Sequence, residues 1–201
     1  MRTKRWVGPS IRLLVLAMIS LAATACEGGS SKSLPPISVK EVHYFSDLAQ
    51  MVATSDAVVQ GTVIETEPGR VVGGQDPRPE GDGAIQFLQV TISIDKVLYG
   101  SLPEGSFLVE EDGYNGVPPS EVGDRGFYFV HLKQDETDKP YYRLINSQGR
   151  FLVQGERLVG SNDSDSWVQA IEAVSPLELE ALVAQAKEAI ERGVVTPQPG
   201  R

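Results

Sequence analysis

The segment IQFLQVTISIDKVLYG, Ile85 to Gly100, does most to limit what this chain can fold into. Phe87, Gln89, Thr91, Ser93 and Asp95 fall on one side of an extended backbone, and Leu88, Val90, Ile92, Ile94 and Lys96 on the other, which is mostly apolar. A period of two in a run rich in β-branched residues predicts a long strand with one face in a core.

The neighbouring segments repeat that pattern. DAVVQGTVIETE (56–67) alternates Val59, Gly61, Val63 and Glu65 with Val58, Gln60, Thr62 and Ile64. A glycine inside a strand marks a bulge or bend, here at Gly61. Pro68 to Gly83 is crowded with Gly, Pro and Asp and is expected to be a long exposed loop, either carrying function or disordered. Shorter strands are expected at 106–111, 126–133, 141–146, 150–154 and 157–159, with an edge strand at Val39–Phe45. Two helices frame them. Ser46 is placed to cap DLAQMVATS, whose Leu48, Met51 and Val52 share a face. Ser175-Pro176-Leu177-Glu178 carries a capping box with proline at the first helical position. Leu179, Leu182, Val183, Ala186 and Ile190 then form an apolar stripe, ended by Arg192 and Gly193. The expected fold is α+β, mainly β: a small antiparallel barrel with a short N-terminal helix and a packed amphipathic C-terminal helix.

The N-terminal end has a different logic. Arg2, Lys4, Arg5 and Arg12 precede the apolar run Leu13 to Ala25, and small residues Ala23, Thr24 and Ala25 precede Cys26. This is the layout of a secretory signal peptide. The 13-residue run, bounded by Arg12 and Glu27, is too short for a helical span, which needs about 20 residues. Ala23-Thr24-Ala25-Cys26 resembles the lipobox of bacterial lipoproteins, with alanine in the first position where leucine is most common. The resemblance implies cleavage between Ala25 and Cys26 and a diacylglycerol on the Cys26 thiol. Two acyl chains on one residue suffice for stable anchoring where one is marginal. Cys26 is the chain's one cysteine, so no disulfide is available to the fold. The expected organisation is a signal peptide (1–25), a lipidated cysteine and Gly/Ser/Pro-rich tether (26–38), a single barrel domain (39–193) and a disordered tail (194–201).

The full chain has 18 basic and 27 acidic residues; removal of the four basic residues before Cys26 leaves 14 against 27, a net charge of −13. Such a balance argues against nucleic acid as a partner and favours solubility beyond the anchor.

SDLAQMVATSDAVVQGTVIE, VTISIDKVLYG and VGDRGFYFVHL together resemble small exported bacterial proteins with an OB-like barrel, an outline shared with netrin-like and metalloproteinase-inhibitor modules. The resemblance spans about Ser46 to Leu132 and implies a fold. The inhibitor modules act through an N-terminal cysteine clamped by disulfides, which this chain cannot form, so no activity is carried over.

Reactive groups are sparse. His43 and His131 are the two histidines, and neither stands in a metal-ligand or triad spacing. Glu110-Glu111-Asp112 and the Asp163/Asp165 pair offer oxygen donors for calcium, but Val174 stands where a calcium loop starting at Asp163 needs its glutamate. Loop carboxylates of an acidic protein are expected to be solvated. Tyr114, Phe127, Tyr128, Tyr141 and Tyr142 either pack the core or line a ligand-binding barrel face. The sequence therefore points to a lipoprotein held by Cys26 on the extracytoplasmic face of the cell membrane. Its domain is expected to be a non-catalytic binding or structural module without a cofactor, meeting an envelope protein or cell-wall ligand. The alternative is an envelope enzyme or calcium-binding module built on the clustered carboxylates.

Overall fold

The computed structural model describes residues 45–72, 85–112, 118–133, 141–160 and 166–198, all within one compact unit. Helix α1, Leu48–Thr54, is capped by Asp47 rather than Ser46: Asp47 is extended, and its Oδ1 accepts the Gln50 N–H at 2.8 Å. The helix stops at Ser55, which is also extended and turns its own N–H back onto the carbonyls of Met51 and Val52. Of the expected edge strand, only Phe45 is described, and it lies outside any strand.

Seven strands follow: β1 (Ala57–Val72), β2 (Ile85–Gly100), β3 (Ser106–Asp112), β4 (Arg125–Lys133), β5 (Tyr141–Leu144), β6 (Arg150–Gln154) and β7 (Arg157–Gly160). They form one sheet in the order β1-β2-β3-β5-β4-β6-β7, and β1 also pairs with β4, so the sheet partly closes into a ring. The pairing is not wholly antiparallel as expected: β3 meets β5 in parallel, at Val109 and Tyr142. Strand β4 is shared lengthwise. Gly126–Tyr128 pair with β6, Val130–Lys133 pair with β5, and Phe129 between them bonds to Gly149 and Ile145.

β1 runs to Val72, past the point where Pro68 suggested a loop. Its ladder with β4 ends at Thr62 and Val63 bonds to Asp124 and Gly123; farther on, no strand among the described residues pairs with that edge, and a proline there breaks no ladder on that side. The register with β2 shifts at Gln60/Gly61, the bend expected from the sequence. A β-carbon at Gly61 would lie 2.5 Å from the Ser93 carbonyl oxygen and 2.6 Å from Ile92 Cγ2, so this crossing admits only glycine.

Alternation along the strands feeds two cores. Val59, Val90, Ile92, Val109, Tyr128 and Val130 pack on one side of the sheet. Val58, Phe127, Phe129 and Phe151 pack on the other, beneath the helices with Met51, Val52, Leu179 and Val183. Phe127 and Phe129 therefore pack core rather than line a ligand face, each stabilising the fold by about 1.5–3 kcal/mol. Beyond β7 lies a helix the sequence reading missed, α2 (Ser166–Glu172), which buries Val168 and Ile171 and sets Trp167 edge-on to Phe151. The last helix, α3 (Pro176–Glu191), has the expected capping box, with Gly193 just past its end at φ 71°. Lys96 of β2 pairs with Glu180 of α3. The beginning of the expected disordered tail is tied down: the Gln198 N–H bonds to Thr54 Oγ1 at 2.9 Å, and its side chain to Gln50. No helix among the described residues is long and apolar enough to cross a membrane.

Candidate functional site

Register places the most elaborate polar cluster of the described residues on the sheet face opposite Val109 and Tyr142. Gln89 of β2 stands across from Glu110 of β3, and His131 of β4 across from Arg143 of β5. Because Val109 and Tyr142 point into a core, their chain neighbours Glu110, Tyr141 and Arg143 share the other face. Arg70 reaches the same place from the end of β1.

Two guanidinium groups meet on one carboxylate. Arg70 Nε donates to Glu110 Oε1 at 2.8 Å and Arg70 Nη2 to Oε2 at 3.2 Å. Arg143 Nη2 donates to Oε2 at 2.7 Å and Arg143 Nε to the same oxygen at 3.1 Å. Arg70 Nη2 also donates to the Tyr141 hydroxyl at 2.6 Å. Both guanidinium groups lie against the rings of Phe87 and Tyr141, the nearest approach being Arg143 to Phe87 at 4.6 Å from the centroid. Glu110 is only 4 % exposed, whereas Arg70 and Arg143 are 38 % and 27 % exposed. The carboxylate is thus sealed beneath two cations that still reach water. Charge-assisted forks of this kind are short, directional and stronger than neutral hydrogen bonds.

Glu111 points the other way, into a second and wholly buried cluster. Arg150 Nη1 bonds to Glu111 Oε1 at 3.3 Å and to Ser120 Oγ at 2.6 Å, and its Nη2 reaches the Pro118 carbonyl. Ser120 returns both its N–H and its hydroxyl to Glu111. The Tyr128 hydroxyl is buried and has no hydrogen-bond partner among the described residues. Burial holds its pKa well above the usual tyrosine value; the Arg150 charge opposes that shift, while Glu111 and Asp124 add to it. Tyr142 is raised as well, by burial and then by Asp56.

These placements correct the reading of the acidic strand end. Glu110 and Glu111 are buried and engaged by arginine, not solvated, and their oxygens accept from guanidinium, hydroxyl and backbone N–H donors. Among the described residues, no group of three or more His, Cys, Asp or Glu is arranged to hold a metal. Of the described aromatic residues considered for a binding face, Tyr141 alone joins the outer cluster; Tyr128 and Tyr142 pack in the core. His131 is half-buried beside Arg143. Ala25, Cys26, His43, Tyr114, Asp163, Asp165 and the Asp112 side chain lie outside the described residues. Sequence reasoning missed Arg70, Phe87, Arg143 and Arg150. A usable signal was present in Tyr141-Tyr142-Arg143, where a cation and an aromatic residue share the face opposite a core position.

No family model matches the chain, and no curated protein is similar to it in sequence.

Proposed function

We propose that the chain is an exported bacterial lipoprotein, anchored through Cys26 on the extracytoplasmic face of the membrane, whose OB-like barrel is a non-catalytic binding module at the envelope. The ring order β1-β2-β3-β5-β4, with β1 returning to β4, supports the OB-like description. The observation that carries the binding role is the Arg70–Glu110–Arg143 cluster: polar groups fixed in place on an outer sheet face, where a partner can reach them. The anchor rests on the basic segment, the apolar run and Ala23-Thr24-Ala25-Cys26.

Membrane fractionation of wild type and Cys26→Ala, with mass spectrometry of the N-terminal peptide, tests the anchor. The wild type is expected in the membrane fraction with an acylated Cys26, and the variant in the soluble fraction as an unacylated chain. Equal partitioning of the two, with no acylated peptide, overturns it. Crosslinking in intact cells tests the binding role: adducts through a photoreactive residue at Gln89, beside the cluster, are expected to exceed those at remote Glu156.

A further inference from the structure

The geometry points to the outer edge of Arg143 as an oxyanion-binding site, taking a carboxylate or phosphate group; the inference deepens the binding role proposed above and rests on it. Arg143 spends its Nε and Nη2 on Glu110 and lies on the Phe87 ring. That leaves Nη1 on the side away from the buried carboxylate, on a side chain that is 27 % exposed. A guanidinium group is a planar fork matched to the oxygens of a carboxylate or phosphate.

Ordinary surface arginines lose rotamer entropy when they bind an anion. Here the loss has already been met in folding. Glu110 holds the inner edge, and the Phe87 and Tyr141 rings lie 4.6 and 5.8 Å from the guanidinium carbon. A preorganised donor binds more tightly for the same contacts. The arrangement also separates roles. Glu110 is sealed and acts as the positioning group, so the anion it would repel meets the guanidinium rather than the carboxylate.

The test uses the full chain in a detergent with an uncharged headgroup, followed through the Arg143 Nε–Hε resonance in ¹⁵N-resolved NMR spectra. The probes are inorganic phosphate, oligogalacturonate, an oligomer of glycerol phosphate and a neutral dextran oligomer. A saturable shift of that resonance by any anionic probe, with none from dextran, is expected. Which anion binds most tightly then separates a free-ion source from a polymeric carboxylate or phosphate. Arg143→Gln is expected to weaken binding of that anion, measured calorimetrically, by about tenfold or more. Arg143→Lys keeps the charge and lacks the fork, and is expected to recover only part of the affinity. Arg157→Gln, at an exposed position of β7, is expected to bind as wild type does. Because Arg143→Gln could unfold the face, Arg143→Lys carries the decision if the Gln variant loses its cooperative thermal transition. No shift with any anion, equal shifts with dextran, or unchanged affinity in folded Arg143→Lys overturns the site. Failure of these arms alongside a confirmed anchor and crosslinked partner would remove the oxyanion site and leave the binding role standing.

Discussion

Arg143 and Glu110 meet where β5 runs parallel to β3, with 2.7 Å between Arg143 Nη2 and Glu110 Oε2. This contact, repeated from β1 by Arg70, ties three strands at one buried carboxylate. Replacing Glu110 with Gln keeps the shape and removes the charge that both guanidinium groups share. The arginines are partly exposed and regain some hydration, so the expected cost is below that of breaking a fully buried pair, about 1–3 kcal/mol in denaturant unfolding. A variant as stable as wild type would show that the cluster contributes nothing net to the fold.

Gly61→Ala places its methyl carbon against the Ser93 carbonyl, and backbone there cannot step aside as a side chain can. The expected loss is about 1–3 kcal/mol. Gly105→Ala is the contrast: its β-carbon meets nothing within 4 Å, and the strain comes only from φ of 87°, costing about 1–2 kcal/mol. Chemical denaturation of both variants separates collision from backbone strain. The Gly61 variant is also expected to weaken hydrogen-exchange protection along β2, and the Gly105 variant is not.

Tyr128→Phe removes a buried hydroxyl that has no partner among the described residues. It is expected to be neutral or stabilising by up to about 1 kcal/mol. The pH dependence gives a second check. The folded-state pKa of Tyr128 is raised, so the folded chain holds the proton while the unfolded chain releases it above about pH 10. Stability is therefore full below that pH and falls as pH rises through the alkaline range. Thermal melts from pH 9 to 11 should fall less steeply for Tyr128→Phe than for wild type, with Tyr142 accounting for part of the remaining slope.

At α3 the sign is reversed. The Ser175 N–H donates to Glu178 Oε2 at 2.7 Å and the Ser175 hydroxyl at 2.8 Å; the backbone bond is the larger cause of a lowered Glu178 pKa. A depressed carboxyl stabilises the fold above its unfolded pKa, and that contribution is lost as pH falls through the folded value, from about 4.5 downward. Ser175→Ala is expected to lower the melting temperature at neutral pH by about 2–4 °C. The difference from wild type should shrink in acid, as seen by circular dichroism.

The strands and α3 were legible because each declares itself locally. Alternation in 85–100 needs no partner to be read, and Ser175-Pro176-Leu177-Glu178 writes its own helix start. Asp47 took the cap from Ser46 because the chain leaves the extended conformation one residue later than composition suggests. Helix α2 escaped notice because two buried residues, Val168 and Ile171, make too short a stripe to stand out. The site was less legible for a different reason. Glu110 and Glu111 look like any acidic strand end until register sends one outward to Arg70 and Arg143 and the other inward to Arg150. Their partners lie 40, 33 and 39 residues away, and only the parallel contact of β3 with β5, which no local pattern encodes, brings Arg143 into reach.

The return of β1 to β4 also sets an order of events as the chain folds. Ala57 pairs with Val130 and Thr62 with Arg125, separations of 73 and 63 positions, whereas β6 and β7 join across a two-residue turn. Loop closure of that length is slow compared with hairpin formation. The β6–β7 hairpin and α3 can form at once, while β1 waits for β4 with one edge unfilled. During that wait the β-branched run Ala57–Val63 presents an unfilled edge open to pairing with another molecule, so conditions that crowd newly made chains act on this strand.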